Sequence, residues 1–185
     1  MTNQDYIISI YRYYSKFVPK SVLSNLFQQP EISRNAGYSE LVAEIMAQPD
    51  THVVSEIGTF IVSANDKYIK DTVKNSTGVV LFVEYGQFSF NPIATGGVTE
   101  KLGITVAREY NIANNDNLNE ALLMNECDNI INGILEQMRA DQEELEACGL
   151  MKLITFPADI YPVDPVTFND RSGWTALFND EKNVL

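Results

Sequence analysis

Hydrophobic positions recur at helical spacing from the start of the chain. Tyr6, Ile10, Tyr13 and Phe17 form one stripe, and Ile7, Tyr11, Tyr14 and Val18 form a second beside it. The polar stripe between them is narrow, made by Asp5, Ser9, Arg12 and Lys16. A helix at the edge of a domain normally covers one apolar stripe, so this one is either sandwiched inside the fold or shared with a neighbour. Pro19 ends or kinks it. Val22, Leu23, Leu26 and Phe27 then continue as a short helix until Pro30, and a third helix is expected from an N-cap at Ser39, with Leu41, Val42, Ile45 and Met46 inward.

The period changes after His52. Val53, Ile57, Phe60 and Val62 suit a strand, whereas 65–78 are polar and read as a loop with at most one helical turn at Tyr68 and Ile69. Val79 to Tyr85 is the clearest buried strand, Gly86 allows a bulge, and Leu102 to Tyr110 returns as the second arm of a long hairpin with its tip at Ile93 to Thr99. Leu118 to about Leu145 is the strongest helix, opened by Asn117 with Glu120 three residues on. Leu118, Leu122, Ile131, Ile134, Leu135 and Met138 are expected on its buried side. Met151 to Phe156 reads as a strand, a proline-rich crossing segment with Pro157, Pro162 and Pro165 follows, and Gly173 to Phe178 reads as the closing strand. The order predicts an α+β fold: one domain over 1–185, with a helical segment 1–48 and an α+β core 52–180 in which the long helix lies across an antiparallel sheet.

The 185 residues suffice for one well-buried core. Thirteen Lys and Arg against 25 Asp and Glu give a net charge of −12, which opposes binding to nucleic acid or an anionic membrane. Neither is expected as a partner. The longest apolar stretch, Val79 to Val83, is far too short to span a bilayer, and the first residues lack a signal peptide's basic flank and apolar core, so synthesis and retention in the cytoplasm are expected.

Candidate chemistry is sparse. His52 is the single histidine, and Cys127 and Cys148 have no zinc spacing, so no catalytic residue, cofactor or metal is expected and both cysteines read as reduced and packed. Glu84 interrupts an apolar strand, and the expected hairpin places Arg108 across from it as an ion pair. Asp164 and Asp170 lie in the crossing segment, where a ligand site competes with ordinary turn chemistry. The long helix carries eight acids against Arg139 between Asn117 and Ala147. Asp141, Glu143, Glu144 and Glu146 crowd its C-terminal end, where the helix dipole is already negative. They form either a solvated, fraying end or a surface for a basic partner.

The hairpin with its long tip (Val79 to Tyr110), the helix Leu118 to Leu145, the strand Met151 to Phe156 and the closing strand Gly173 to Phe178 together resemble small structural proteins of tailed phages and prophages. The kinds resembled are tail-terminator, tail-completion and head-tail connector proteins, over roughly residues 52 to 180. The resemblance implies a virion assembly subunit without catalytic residues, acting through contacts with copies of itself or virion neighbours. The interface candidates on that reading are Tyr6, Ile10, Tyr13, Tyr14 and Phe17 of the first helix, Ile93 of the hairpin tip, and Asp141, Glu143, Glu144 and Glu146. Two other classes stay open. A small enzyme would need a concave site around Glu84, Arg108 or Asp170. An acidic decoy of DNA is the third, although residues 1 to 92 carry nine acids and seven bases, so only the second half is strongly negative.

Overall fold

A computed structural model describes residues 3–27, 37–90, 98–110, 116–147, 157–165 and 168–178. Among them the chain order is α1 (Asn3–Ser15), α2 (Lys20–Leu26), α3 (Tyr38–Met46), β1 (Ile57–Val62), α4 (Asp66–Lys74), β2 (Val79–Phe90), β3 (Val98–Glu109), α5 (Asn117–Ala147), β4 (Ala158–Pro162) and β5 (Arg171–Phe178). The strands form one sheet in the order β1-β2-β3-β5-β4. Every pairing is antiparallel except β1 with β2, which is parallel. The architecture is the expected α+β, with a mixed, mostly antiparallel sheet. No helix among the described residues is long and apolar enough to cross a membrane.

The parallel pair explains the main departure from the sequence pattern. Parallel neighbours need a crossover, and α4 supplies it within the stretch expected to be a loop. Its apolar face consists of Ile69 and Val73 alone, one turn apart, which is too little to register as a helical period in a polar segment. The Asn65 side chain caps it by accepting from the Tyr68 amide at 3.1 Å. Where the chain enters β2, Gly78 has φ +68°, and a Cβ on Gly58 would lie 2.4 Å from the Thr77 carbonyl oxygen. Only glycine permits that approach.

Alternation along β2 divides the core between two faces. Val79, Leu81 and Val83 join one cluster with Ile10, Tyr14, Phe17, Ile57, Phe60, Ile104, Val106, Ile131, Ile134, Met138 and Phe178. Val80 and Phe82 face the other way into a smaller cluster with Ile61, Ile69 and Val73. Helices α1 and α5 therefore lie on one side of the sheet and α4 on the other. The large cluster unites the N-terminal helices with the sheet, and Ile10 and Tyr14 of α1 are buried in it. Tyr11 packs edge-on to Phe60 at 5.4 Å between ring centroids, and the Tyr14 hydroxyl reaches Met138 Sδ at 3.7 Å.

Several local expectations change. The α3 helix is preceded by Gly37 at φ +87° as its N-cap, with Ser39 inside the helix. Asp116, not Asn117, caps α5, its Oδ1 accepting from the Leu118 and Asn119 amides at 3.1 and 2.9 Å. Ile131, Ile134, Leu135 and Met138 are buried as expected, but Leu118 and Leu122 are 68% and 59% exposed at the start of α5. The hairpin forms, with a register shift between Tyr85 and Phe88 at the expected bulge. Its register pairs Glu84 with Gly103 and Arg108 with Val79, so Glu84 and Arg108 stand on opposite faces of the sheet and make no pair. Arg108 instead pairs with Glu126 on α5 at 2.5 Å. The proline-rich segment holds β4, an edge strand paired with β5, where proline's missing amide is tolerated. The strand expected at Met151 to Phe156 and the hairpin tip at 91–97 lie outside the described residues.

Candidate functional site

Among the described residues a polar cluster joins the first helix and the residue after it to α5. Asp141 Oδ2 accepts from the Tyr13 hydroxyl at 2.5 Å and from Lys16 Nζ, while its Oδ1 accepts from Gln137 Nε2 at 2.8 Å. Lys16 Nζ also lies 4.1 Å from the centre of the Tyr13 ring and 5.0 Å from that of Phe17. Burial alone would raise the Asp141 pKa, but the hydrogen bonds from Lys16, Tyr13 and Gln137 outweigh it and hold the carboxyl below its ordinary value. Burial, reinforced by the hydrogen bond to Asp141, pushes the Tyr13 phenol well above its ordinary range.

These shifts set the pH dependence. A carboxylate with a depressed folded-state pKa contributes stability that is present above its unfolded value, about 3.9, and is lost as pH falls through the folded value. Asp141→Asn should therefore lower stability by about 1–3 kcal/mol near neutrality. Denaturant titrations of wild type and variant should converge as pH drops below about 4. A gap that stays constant down to pH 2 would refute a charge-based clasp.

Of the proposed interface residues, Ile10, Tyr14 and Phe17 are buried in the chain's own core, and Tyr13 and Asp141 are bonded to each other. Glu143 and Glu144 are exposed, with Glu143 Oε1 3.7 Å from Arg139 Nε. The side chains of Tyr6 and Glu146, and all of Ile93, lie outside the described residues. The free thiol of Cys127 is buried, and burial pushes its pKa up to about 11, so it is held as the neutral thiol at neutral pH. Among the described residues no group of three or more His, Cys, Asp or Glu is placed to hold a metal.

The segment around Asp164 and Asp170 is a tight turn. Asn169 and Asp170 take positive φ, 50° and 57°, and the Asp170 amide donates to the Pro165 carbonyl at 2.9 Å. The turn delivers Arg171 beneath α4, where its guanidinium donates to the carbonyls of Val73, Ser76 and Gly78 at 3.2, 2.9 and 3.3 Å. A buried arginine thus closes the C-terminal end of α4, where carbonyls lack helical partners.

Two surface features go beyond the sequence pattern, the second being how far the expected hairpin outruns its neighbours. One is the exposed pair Leu118 and Leu122. The other is an arm: β1 pairs with β2 only over Val79 to Val83, and β5 pairs with β3 only over Leu102 to Glu109. Beyond those limits the two hairpin strands pair only with each other among the described residues, with Phe88 opposite Glu100, Ser89 opposite Thr99 and Phe90 opposite Val98. The arm is also uncharged from Tyr85 to Thr99, in a chain of net charge −12. Comparison with protein-family models, with characterised proteins and with solved structures finds no match.

Proposed function

We propose that this chain is an assembly subunit acting through protein contacts, of the tail or neck kind found in tailed phages and prophages, and that its hairpin arm engages neighbouring subunits. The observation that carries this reading is the two-stranded extension of β2 and β3 past both flanking strands. An isolated two-stranded ribbon is marginally stable in water, and its outer edges offer unpaired backbone donors and acceptors to an added strand. Copies of a strongly acidic chain repel one another, and the stretch from Tyr85 to Thr99 adds no charge to that repulsion.

The β4 edge is a poorer docking strand. It is short, it ends in Pro162, and Pro157 precedes it, both being devices that blunt strand addition.

Excising 86–101 and joining Tyr85 to Leu102 through Asn-Gly keeps a paired register position on each side of a two-residue turn. The excised protein should melt within a few degrees of the parent and sediment as a monomer under conditions where the parent forms oligomers. Unchanged assembly of the arm-less protein would remove the arm from this role.

A further inference from the structure

The outward face of α4 carries a charge pattern that reads against the chain's overall sign. Lys67, Lys70 and Lys74 are all exposed, with Asp71 among them, and no ion pair joins these side chains to another described residue. Positions 67, 71 and 74 fall on one face at helical spacing and read plus, minus, plus. The exposed face of α5 carries the inverse: Glu136, Arg139 and Glu143 read minus, plus, minus, and all three are exposed.

The two triplets match in length as well as sign. Each extends over seven residue steps, about 10.5 Å of helix. In an antiparallel arrangement Lys74 faces Glu136, Asp71 faces Arg139 and Lys67 faces Glu143. That direction also sets the negative C-terminal pole of α5 beside the positive N-terminal pole of α4. Within one molecule the faces cannot meet, because α4 packs on one side of the sheet and α5 on the other.

We infer that the outward face of α4 docks the C-terminal half of α5 from a second copy of this chain. The inference rests on the assembly reading above and names one of its contacts. The contact is head-to-tail, joining different surfaces of the two copies, so it propagates into a ring or a filament instead of stopping at a two-fold dimer. It also gives a role to the acidic helix end: Glu143, which adds to an unfavourable dipole in the free chain, meets a lysine in the assembly.

The experiment is charge exchange on the whole chain, read by sedimentation velocity. One variant carries Lys67→Glu, Asp71→Lys and Lys74→Glu. A second carries Glu136→Lys, Arg139→Glu and Glu143→Lys. A third carries all six changes. Each triple variant should shift from oligomer to monomer, with at least a tenfold weaker association, and the sextuple variant should recover assembly because both faces invert together. Thermal melting by circular dichroism verifies that each variant folds. Parent oligomers should also weaken as salt rises from about 10 mM to about 1 M, over which the screening length falls from about 30 to about 3 Å. If the parent is oligomeric and the triple variants assemble equally well, or the sextuple variant does not recover, the α4–α5 contact is overturned while the assembly reading stands. If the parent is monomeric throughout, both fall.

Discussion

Replacing Phe17 with alanine is expected to destabilise the chain by about 3–5 kcal/mol. Phe17 is 1% exposed and belongs to the cluster that joins α1 to the sheet and α5. Its ring lies 6.0 Å from that of Tyr13 and 6.3 Å from that of Tyr14, and its carbonyl accepts from the Val54 amide at 2.9 Å. Truncation leaves a cavity that the surrounding aromatic rings, fixed by one another and by the Asp141 clasp, cannot readily fill. For a chain of this size the loss corresponds to roughly 6–20 °C in melting temperature. Phe17→Leu should retain most of the stability, since it removes less volume. Differential scanning calorimetry of the two variants tests this directly, and an alanine variant within 2 °C of the parent would mean that α1 is loosely attached.

The second large effect is expected at Arg171. Its guanidinium serves carbonyls at 73, 76 and 78, so Arg171→Ala leaves those acceptors without their charged donor beneath the crossover helix. A hydrogen bond from a charged donor contributes about 1.5–3 kcal/mol, and Arg171 makes three to backbone carbonyls. Arg171→Lys should rescue only part of the loss, because a single ammonium cannot reproduce the planar fork that reaches three acceptors. The damage should be local first: amide exchange should accelerate in α4 and at Gly78 before it does in β3 or α5. Uniform acceleration across the sheet would show that Arg171 supports the whole fold and does not act on the crossover in particular.

The sequence pattern reveals those elements whose apolar periodicity is strong. The two-stripe first helix, the run Val79 to Val83, its hairpin partner and the inner positions of α5 from Ile131 to Met138 all belong to this class. The pattern leaves open whether α1 is sandwiched inside the fold or shared with a neighbour, and the buried aromatic contacts place Ile10, Tyr14 and Phe17 in the core. Helix α4 escapes notice because two apolar residues suffice to seat it once a bulky arginine and the Phe82–Phe168 stack, 6.0 Å between centroids, complete its surroundings. Leu118 and Leu122 continue the periodicity of α5, yet they are exposed. Periodicity identifies the face of a helix but not how far along it the neighbouring sheet extends.

The polar site is less legible for a different reason. Asp141 looks like one of four crowded carboxylates, and only the packing of α1 against α5 singles it out for Tyr13 and Lys16. The Arg108 partner is misassigned because a change of hairpin register moves a residue to the opposite face, and register depends on the turn and the bulge between Tyr85 and Phe88.

The packing of α1 also governs how the chain can be made. Tyr14 and Met138 are separated by 124 positions, and Tyr13 and Asp141 by 128. During translation at about 5–20 residues per second, the first helix emerges roughly 6 to 25 s before the residues that cover it. Throughout that interval its aromatic stripes have no native α5 surface to bury them, and the clasp of Tyr13 and Lys16 has no carboxylate to hold. Completing the packing of the first helix must therefore wait for β1, β2, β3 and most of α5. Slower translation between positions 18 and 138 should accordingly increase aggregation of the nascent chain.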